Sequence, residues 1–235
     1  MFRFTKTFPA VLLMMIAVPV YAESASERLK EATAVLNELM AAEDKGIPRD
    51  LLEGAHCAIM IPGAKKGGFF IGAQYGRGFA ICRNAAHKGW GPPAAVRLEG
   101  GSIGAQIGGA ESDIFMLVMN EEGMKRLLQS KFTLDAAAGV AAGPVGRAAT
   151  AQTDARASAG ILSWSRSRGA FAGLTVGGGT LRDDLDENQE LYGKRLANKE
   201  ILTGSIKPPA AAAGLIATLN KYSRVEEGQK ARQAK

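Results

Sequence analysis

The chain has 235 residues, of which 46% are apolar and 22% are charged, and its formal net charge is +6. This composition is that of an ordinary globular protein, which excludes a collagen-like, low-complexity or disordered chain. The length is sufficient for one well-buried core. The mildly basic charge favours an anionic surface as a partner but is too small to indicate nucleic acid.

The first 22 residues have the pattern of a secretory signal peptide. Arg3 and Lys6 give a basic start, residues 11–18 are an apolar run, and Val20-Tyr21-Ala22 is a small-x-small cleavage site. The run is too short for a spanning helix, although an uncleaved anchor is the alternative. Removing Arg3 and Lys6 lowers the net charge from +6 to +4. We expect cleavage after Ala22 and a periplasmic or secreted protein, and no Cys follows the run to serve as a lipoprotein anchor.

In chain order, the first predicted elements are two helices and a buried strand. Apolar residues at helical spacing predict a helix over residues 26–42, capped by Ser24 or Ser26. Residues 47–54 predict a short helix with Pro48 near its start. Residues 55–61 predict a buried strand that Pro62-Gly63 ends.

A repeated tract organises the middle of the chain. Residues 71–76 recur at 103–108 and more loosely at 172–177, with a Gly at every fourth position. Read with a period of two, each tract is a strand with one apolar face and one nearly bare face. Such glycines indicate a strongly curved sheet or a closely packed helix, and the alternative is a groove where a ligand meets the backbone.

The strands of this region are predicted to be short. Lys65-Lys66-Gly67-Gly68 is interpreted as a basic turn, followed by a hairpin of residues 69–75 and 79–83 around Gly76-Arg77-Gly78. Further strands are predicted at residues 94–98, 100–109 and 114–119.

The C-terminal half mixes helices with a second hairpin. Asn120 caps a predicted helix over residues 121–130, and residues 131–134 form a short strand. The Ala- and Gly-rich residues 135–160 give no clear assignment. A hairpin of residues 161–165 and 171–176 follows, and then come helices at 183–192, 197–202 and 208–222. Helices at both ends of many short strands predict an α+β fold: a single domain over residues 23–222, whose curved antiparallel sheet or partly closed barrel of Gly-rich strands packs against the N- and C-terminal helices. Residues 223–235 are a polar tail.

The search for catalytic and metal-binding groups is mostly negative. The two histidines, His56 and His87, have no partner at zinc-ligand spacing, and no nucleophile elbow, phosphate loop or dinucleotide fingerprint occurs. We therefore expect neither an enzyme nor a cofactor or metal. An acidic cluster at residues 183–187 is either an oxygen-ligand site for Ca²⁺ or an acid-rich first helical turn, and the second interpretation is favoured. Cys57 and Cys82 form either a disulfide or a pair of buried thiols.

Cations at predicted turns and strand ends are the candidate site. The candidates for phosphate binding are Lys65, Lys66, Arg77, Arg147, Arg166 and Arg168. Several of them neighbour Gly, whose backbone N–H groups can line an anion-binding site, and Arg side chains match phosphate geometry. Aromatic residues close by are candidate membrane contacts: Phe69, Tyr75, Trp164 and Phe171. The amphipathic first helix is a second candidate contact, and the alternative is a scattered, solvated basic surface.

The order of these motifs resembles one known family. The matching segments are Lys65-Lys66-Gly67-Gly68-Phe69, Tyr75-Gly76-Arg77-Gly78, Gly100-Gly101-Ser102, Ala142-Gly143-Pro144-Val145-Gly146-Arg147 and Ser163-Trp164-Ser165-Arg166-Ser167-Arg168. In this order they resemble the SYLF-domain family, the lipid-binding, yeast actin-patch-type domains, and the resemblance covers residues 25–202. It implies a non-enzymatic domain that binds acidic phospholipids. The signal peptide makes cytoplasmic actin and phosphoinositides poor candidates for the ligand.

Two functions follow as hypotheses. The first is binding of anionic phospholipid headgroups at an envelope membrane surface through the basic turns. The second is a protein-interaction or envelope-assembly module, in which the Gly-lined face or an edge strand accepts a protein partner.

Overall fold

The computed structural model describes residues 23–42, 46–69, 71–84, 89–103, 108–137, 139–144, 159–167, 170–173 and 178–223. The predicted signal peptide and the tail beyond Ser223 lie outside these residues. So do Arg147, Arg168 and His87 from the sequence predictions.

Helices lie at both ends of the chain, as the sequence predicts. Ser24 accepts a hydrogen bond from the Glu27 backbone and Glu27 reciprocates, which caps the first helix in a capping box. The helices are α1 (Ala25–Ala41), α2 (Arg49–Gly54), α3 (Glu121–Leu127), α4 (Leu185–Tyr192), α5 (Asn198–Thr203) and α6 (Ala213–Tyr222), with a 3₁₀ turn at Ala210–Ala212 before α6. Among the described residues, none of these helices is long and apolar enough to span a bilayer.

The described strands form one sheet. They are β1 (Cys57–Phe69), β2 (Ile71–Arg83), β3 (Trp90–Ile103), β4 (Gly108–Val118), β5 (Lys131–Leu134), β6 (Val140–Ala142), β7 (Ile161–Ser167), β8 (Ala170–Gly173) and β9 (Gly179–Asp183). Their order is β5-β9-β3-β2-β1-β4-β7-β6, and β8 also pairs with β7. Among the pairs of described strands, only β6–β7 is parallel. The predicted α+β class and the curved, largely antiparallel sheet are confirmed.

The first hairpin is longer than predicted, and its turn lies elsewhere. The predicted turn at Gly76-Arg77-Gly78 is wrong, because these residues lie inside β2 and pair with β3. Pro62-Gly63 does not end β1 either; the register shifts between Ile61 and Ala64, so a bulge absorbs the two residues. The hairpin reverses where β1 ends at Phe69 and β2 begins at Ile71.

The sheet must be strongly curled, because a short connection joins strands far apart in its order. Six strand steps separate β8 from β9, which would span about 29 Å in a flat sheet. Residues 174–177 join Gly173 to Gly178, and five Cα–Cα steps reach at most about 19 Å. The two edges therefore approach each other, and the sheet forms a half-barrel with an inner and an outer face.

Each face of the sheet has its own core. The inner face is filled by strand residues that include Ile59, Leu98, Met116 and Leu181. The outer face packs against α1 and α6 through residues that include Phe79, Phe115 and Trp164. At Gly78 on the inner face a Cβ atom would overlap the Met60 carbonyl, so glycine permits the close approach of β1 and β2 that the curvature requires.

Candidate functional site

Lys65 and Lys66 lie in β1, a few residues before the hairpin reverses. They were predicted in a turn, but Lys65 is in register with Tyr75 and Glu111, and Lys66 with Gln74. Successive residues of a strand point to opposite faces, so the exposed Lys65 lies on the outer face and the half-buried Lys66 on the inner face. Within the described part of the chain, neither lysine has an ion-pair partner.

Arg77 forms part of a buried ion cluster. Its Nε lies 2.6 Å from Asp184 Oδ2 and 3.2 Å from Glu187 Oε2, and both carboxylate side chains are 1% exposed. Arg28 of α1 donates to the other oxygen of Glu187. The cluster joins β2, α1 and α4, so the guanidinium of Arg77 is not available to an external phosphate in this arrangement.

Burial and ion pairing shift the pKa values of Asp184 and Glu187 in opposite directions. Burial opposes ionisation of Asp184, but the hydrogen bonds from Arg77 and from the Glu187 backbone outweigh it and lower its pKa. Burial dominates at Glu187 and raises its pKa, although Arg28 and Arg77 oppose that shift. The cluster is thus held by charge and hydrogen bonding together.

The acidic stretch at residues 183–187 has structural partners. Asp184 caps α4 by accepting from the Glu187 backbone, and Asp183 accepts from the Asn198 backbone. Asp186 pairs with Arg195 at 3.0 Å on the surface. In the described ranges, no group of three or more His, Cys, Asp or Glu side chains is placed to hold a metal ion.

Arg166 is also held by carboxylates. Its Nη2 lies 2.5 Å from Asp113 Oδ2 across the β4–β7 pair, and it also forms an ion pair with Glu38 of α1. Asp113 accepts a further hydrogen bond from the Gly63 backbone at the β1 bulge. Burial raises the pKa of Asp113 despite that hydrogen bond. Arg166 therefore joins β7 to β4 and α1.

The predicted membrane-contact aromatics are separated by the fold. Trp164 is fully buried on the outer-face core and donates its indole N–H to the Pro144 carbonyl at 2.9 Å. It is a core residue rather than a surface contact. Tyr75 is 47% exposed and is the exposed large hydrophobic residue among those described. Phe69 ends β1 and Phe171 lies in β8, and the structure does not describe their side chains.

The first helix is not free to contact a membrane in this structure. Its apolar residues Leu29, Leu36 and Leu39 are at most 1% exposed and pack on the sheet. The amphipathic pattern of α1 thus serves the core.

Cys57 and Cys82 form a disulfide, the bonded one of the two alternatives left open by the sequence. They are directly opposite each other in the β1–β2 pair, at the end of the hairpin far from Phe69 and Ile71. Both are buried on the inner face, where Cys57 Sγ lies 3.4 Å from Met124 Sδ.

Arg28 and the pairing role of Glu187 were missed by the sequence analysis. The only local signal is the Asp184-x-x-Glu187 spacing of a capped helix start. Arg28 lies 159 residues from Glu187 in the sequence, and Arg77 lies 107 residues from Asp184. No spacing rule could therefore have found these pairs.

Comparison with known proteins gives a consistent set of relatives. Residues 99–222, more than half of the chain, match the family described as Ysc84, Las17-binding protein actin regulator. The chain is 31% identical over 179 residues to LAS seventeen-binding protein 3 of Saccharomyces cerevisiae, covering 75% of this chain and 39% of that protein. It is 29% identical over 205 residues to Protein YSC84 of the same yeast, covering 83% and 43%.

A human relative shows the same similarity. SH3 domain-containing YSC84-like protein 1 of Homo sapiens is 28% identical over 209 residues, covering 88% of this chain and 60% of that protein. The chain thus spans about half the length of these relatives. Their names are those of binding and regulator proteins rather than of enzymes. Together with the curled α+β fold, the match over residues 99–222 shows that the chain belongs to the Ysc84 (SYLF-domain) family.

Proposed function

We propose that the mature protein, with residues 23–222 as its domain, binds anionic phospholipid headgroups at an envelope membrane surface through the end of the β1–β2 hairpin. The observation that carries this proposal is the pair Lys65 and Lys66, two cations with no ion-pair partner among the described residues, next to the apolar segment Phe69-Phe70-Ile71. Arg77 and Arg166 are left out of the contact set because carboxylates already hold them.

The spacing along the hairpin fits an interfacial contact. At about 3.4 Å per residue, the Cα atoms of Lys66 and Lys65 lie roughly 10 and 14 Å from Phe69. Interfacial segments bury their apolar face about 5–10 Å into the headgroup boundary, and lysine stems extend toward the phosphates. The two lysines point to opposite faces of the hairpin, so they would place a cation on each side of the inserted end. Tyr75, in register with Lys65, has the amphipathic ring found at membrane interfaces.

Vesicle co-sedimentation tests the proposal. Phosphatidylcholine vesicles with and without phosphatidylglycerol are compared, and we expect binding only to the anionic set. Each lysine near an anionic surface contributes about 1 kcal/mol, so Lys65→Gln with Lys66→Gln should weaken binding by roughly 30-fold. Raising the salt from about 0.1 to 0.5 M should weaken it further.

Two exposed lysines outside the hairpin strands provide the control. Lys199→Gln with Lys207→Gln removes the same formal charge outside β1 and β2 and should change binding by less than about threefold. Equal binding to neutral and anionic vesicles would refute the electrostatic contact, and so would equal losses in the two double variants.

A protein-interaction module is the second candidate function. Two observations favour it: the name of LAS seventeen-binding protein 3, and the position of β5 at one end of the described sheet order. An edge strand can accept an extended segment of a partner. A cross-linked protein partner that is retained after charge reversal at Lys65 and Lys66 would support this function over lipid binding.

A further inference from the structure

Four cations stand in register across neighbouring strands of the sheet. Arg77 of β2 is opposite Arg97 of β3, Arg97 is opposite Arg182 of β9, and Arg182 is opposite Lys131 of β5. We call this set the cation ladder. Directly opposed like charges destabilise a sheet, so such a row needs counter-charges.

All four cations lie on the outer face. Their strand neighbours Leu98, Leu181 and Phe132 are buried in the inner core. Because successive side chains of a strand point to opposite faces, the cations lie on the outer face. Arg77 is covered by α1 and α4 through its ion cluster. The next three are more accessible: the Arg97 side chain is 28% exposed, that of Arg182 is 43% exposed, and Lys131 is an exposed residue.

The exposed part of the ladder has too few carboxylates. Glu99 alone pairs with both Arg97, at 2.6 Å, and Arg182, at 2.9 Å. The Arg97 Nε–H is not aligned for a hydrogen bond to Glu99 despite the short distance, so this buried donor remains unsatisfied. Lys131 has no ion-pair partner in the part of the chain that the structure describes. Asp184 of the ion cluster also attracts Arg97, but Glu99 is the only ion-pair partner of Arg97, Arg182 and Lys131 among the described residues. An external anion would balance the excess of positive charge.

The geometry suits an anion with more than one negative group. Adjacent strands are about 4.8 Å apart, so one phosphate can contact two neighbouring rungs, and the three exposed rungs extend over roughly 10 Å. Thr180 and Thr133 are opposite each other on the same face, two residues along β9 and β5, and add hydroxyl donors. Arginine forks and a lysine point charge are the groups that recognise phosphate.

The ladder is separate from the proposed lipid contact. Arg77 lies six residues along β2 from Ile71, which is about 20 Å from the end of the hairpin. A bilayer that meets the hairpin end would not reach it. We propose that Arg97, Arg182 and Lys131 form a second site, which binds a soluble, multiply charged phosphate compound.

Isothermal titration with pyrophosphate, and with inorganic phosphate for comparison, tests the site. We expect saturable binding of pyrophosphate at least fivefold tighter than that of inorganic phosphate, because pyrophosphate spans neighbouring rungs. Arg182→Gln with Lys131→Gln should weaken pyrophosphate binding at least tenfold. The control pair Lys199→Gln with Lys207→Gln removes the same formal charge outside the ladder and should leave the affinity within about twofold. Glu99→Gln removes the competing carboxylate and should tighten binding at least threefold.

The outcomes separate this site from the proposed function. Absence of saturable pyrophosphate binding overturns the inference, and so do equal losses in the ladder and control variants. If the ladder variant instead loses binding to phosphatidylglycerol vesicles while pyrophosphate does not bind, the ligand is a lipid headgroup and the soluble-anion inference fails. Saturable pyrophosphate binding that only the ladder variant weakens, together with vesicle binding that only the Lys65 and Lys66 variant weakens, supports two independent sites.

Discussion

At the scale of single residues, the ion cluster of Arg28, Arg77, Asp184 and Glu187 ties α1 and α4 to the sheet. Taking charges out of water is costly, so the intact cluster adds little net stability relative to an apolar core. Removing one member has a much larger effect, because its partners are left charged and buried. The cluster therefore specifies how α1 and α4 dock on β2 more than it strengthens the fold.

Arg77→Met should lower the free energy of unfolding by about 3 kcal/mol, because Asp184 and Glu187 lose a partner while remaining buried. Urea denaturation followed by circular dichroism measures the change. Arg195→Gln, which breaks the exposed pair with Asp186, is the matched control and should cost no more than about 1 kcal/mol. A small, equal effect of both substitutions would show that the cluster does not fix the docking.

The stability at acid pH should depend on Asp184. Its pKa in the fold is lower than the ordinary value of 3.8, so its contribution is complete above that value and is lost as the pH falls through the lower folded pKa. The contribution of Glu187 to stability has the opposite pH dependence. Its folded pKa lies above 4.5, so this contribution grows as the pH falls toward 4.5.

Urea denaturation between about pH 3 and 7 tests both signs. Asp184→Asn should flatten the decline in stability below about pH 4, whereas Glu187→Gln should remove a gain between neutral pH and about 4.5. Profiles parallel to that of the wild type in both variants would contradict this assignment.

At the scale of elements, the disulfide joins the two strands of the first hairpin at its open end, far from the reversal at Phe69 and Ile71. Cys57 and Cys82 are separated by 25 residues, and the Cys57→Ala/Cys82→Ala double variant should lose about 3 kcal/mol through the freer unfolded chain. Guanidinium denaturation of the oxidised wild type and the variant measures this. Met124→Leu, a volume-conserving change beside the same sulfur, should cost less than about 1.5 kcal/mol. An unchanged midpoint in the double variant would mean that strand pairing alone holds this end.

Elements with strong local signals were predictable from the sequence. Ser24 and Asn120 cap α1 and α3, and the β7–β8 hairpin reverses within the predicted residues. The interior of β2 was not predictable in this way. Gly76 and Gly78 have the composition of a turn, yet the fold uses Gly78 to bring β1 and β2 close together. Glycine in a turn and glycine in a curved strand give the same local pattern.

The candidate site was predicted only in part for a related reason. Sequence identifies Lys65, Arg77 and Arg166 equally well as cations at predicted turns and strand ends. Which of them remains accessible depends on carboxylates that come from distant parts of the chain, Asp184 for Arg77 and Asp113 for Arg166. The cation ladder escaped detection because register between β3, β9 and β5 is a property of the folded sheet.

At the scale of the whole molecule, the curvature of the sheet determines which strand positions have room for a side chain. Gly78→Ala places a Cβ atom on the Met60 carbonyl and should cost at least about 2 kcal/mol through backbone strain. Gly109→Ala, on the exposed outer face of β4 with open space around the new atom, should be neutral or stabilising by up to about 1 kcal/mol. Thermal unfolding of the two variants gives the comparison, and equal melting temperatures would argue against the close approach of β1 and β2.

The position of the first hairpin between β3 and β4 has a consequence for the order of assembly. β2 pairs with the next strand in the chain, but the other long edge of β1 pairs with β4, which ends at Val118. During synthesis, that edge has no native partner until the ribosome has released about half of the chain. Unpaired strand edges are sites of aggregation. The nascent protein thus exposes an unpaired strand edge until β4 is made, and truncations before Val118 should be recovered as aggregates rather than as smaller folded domains.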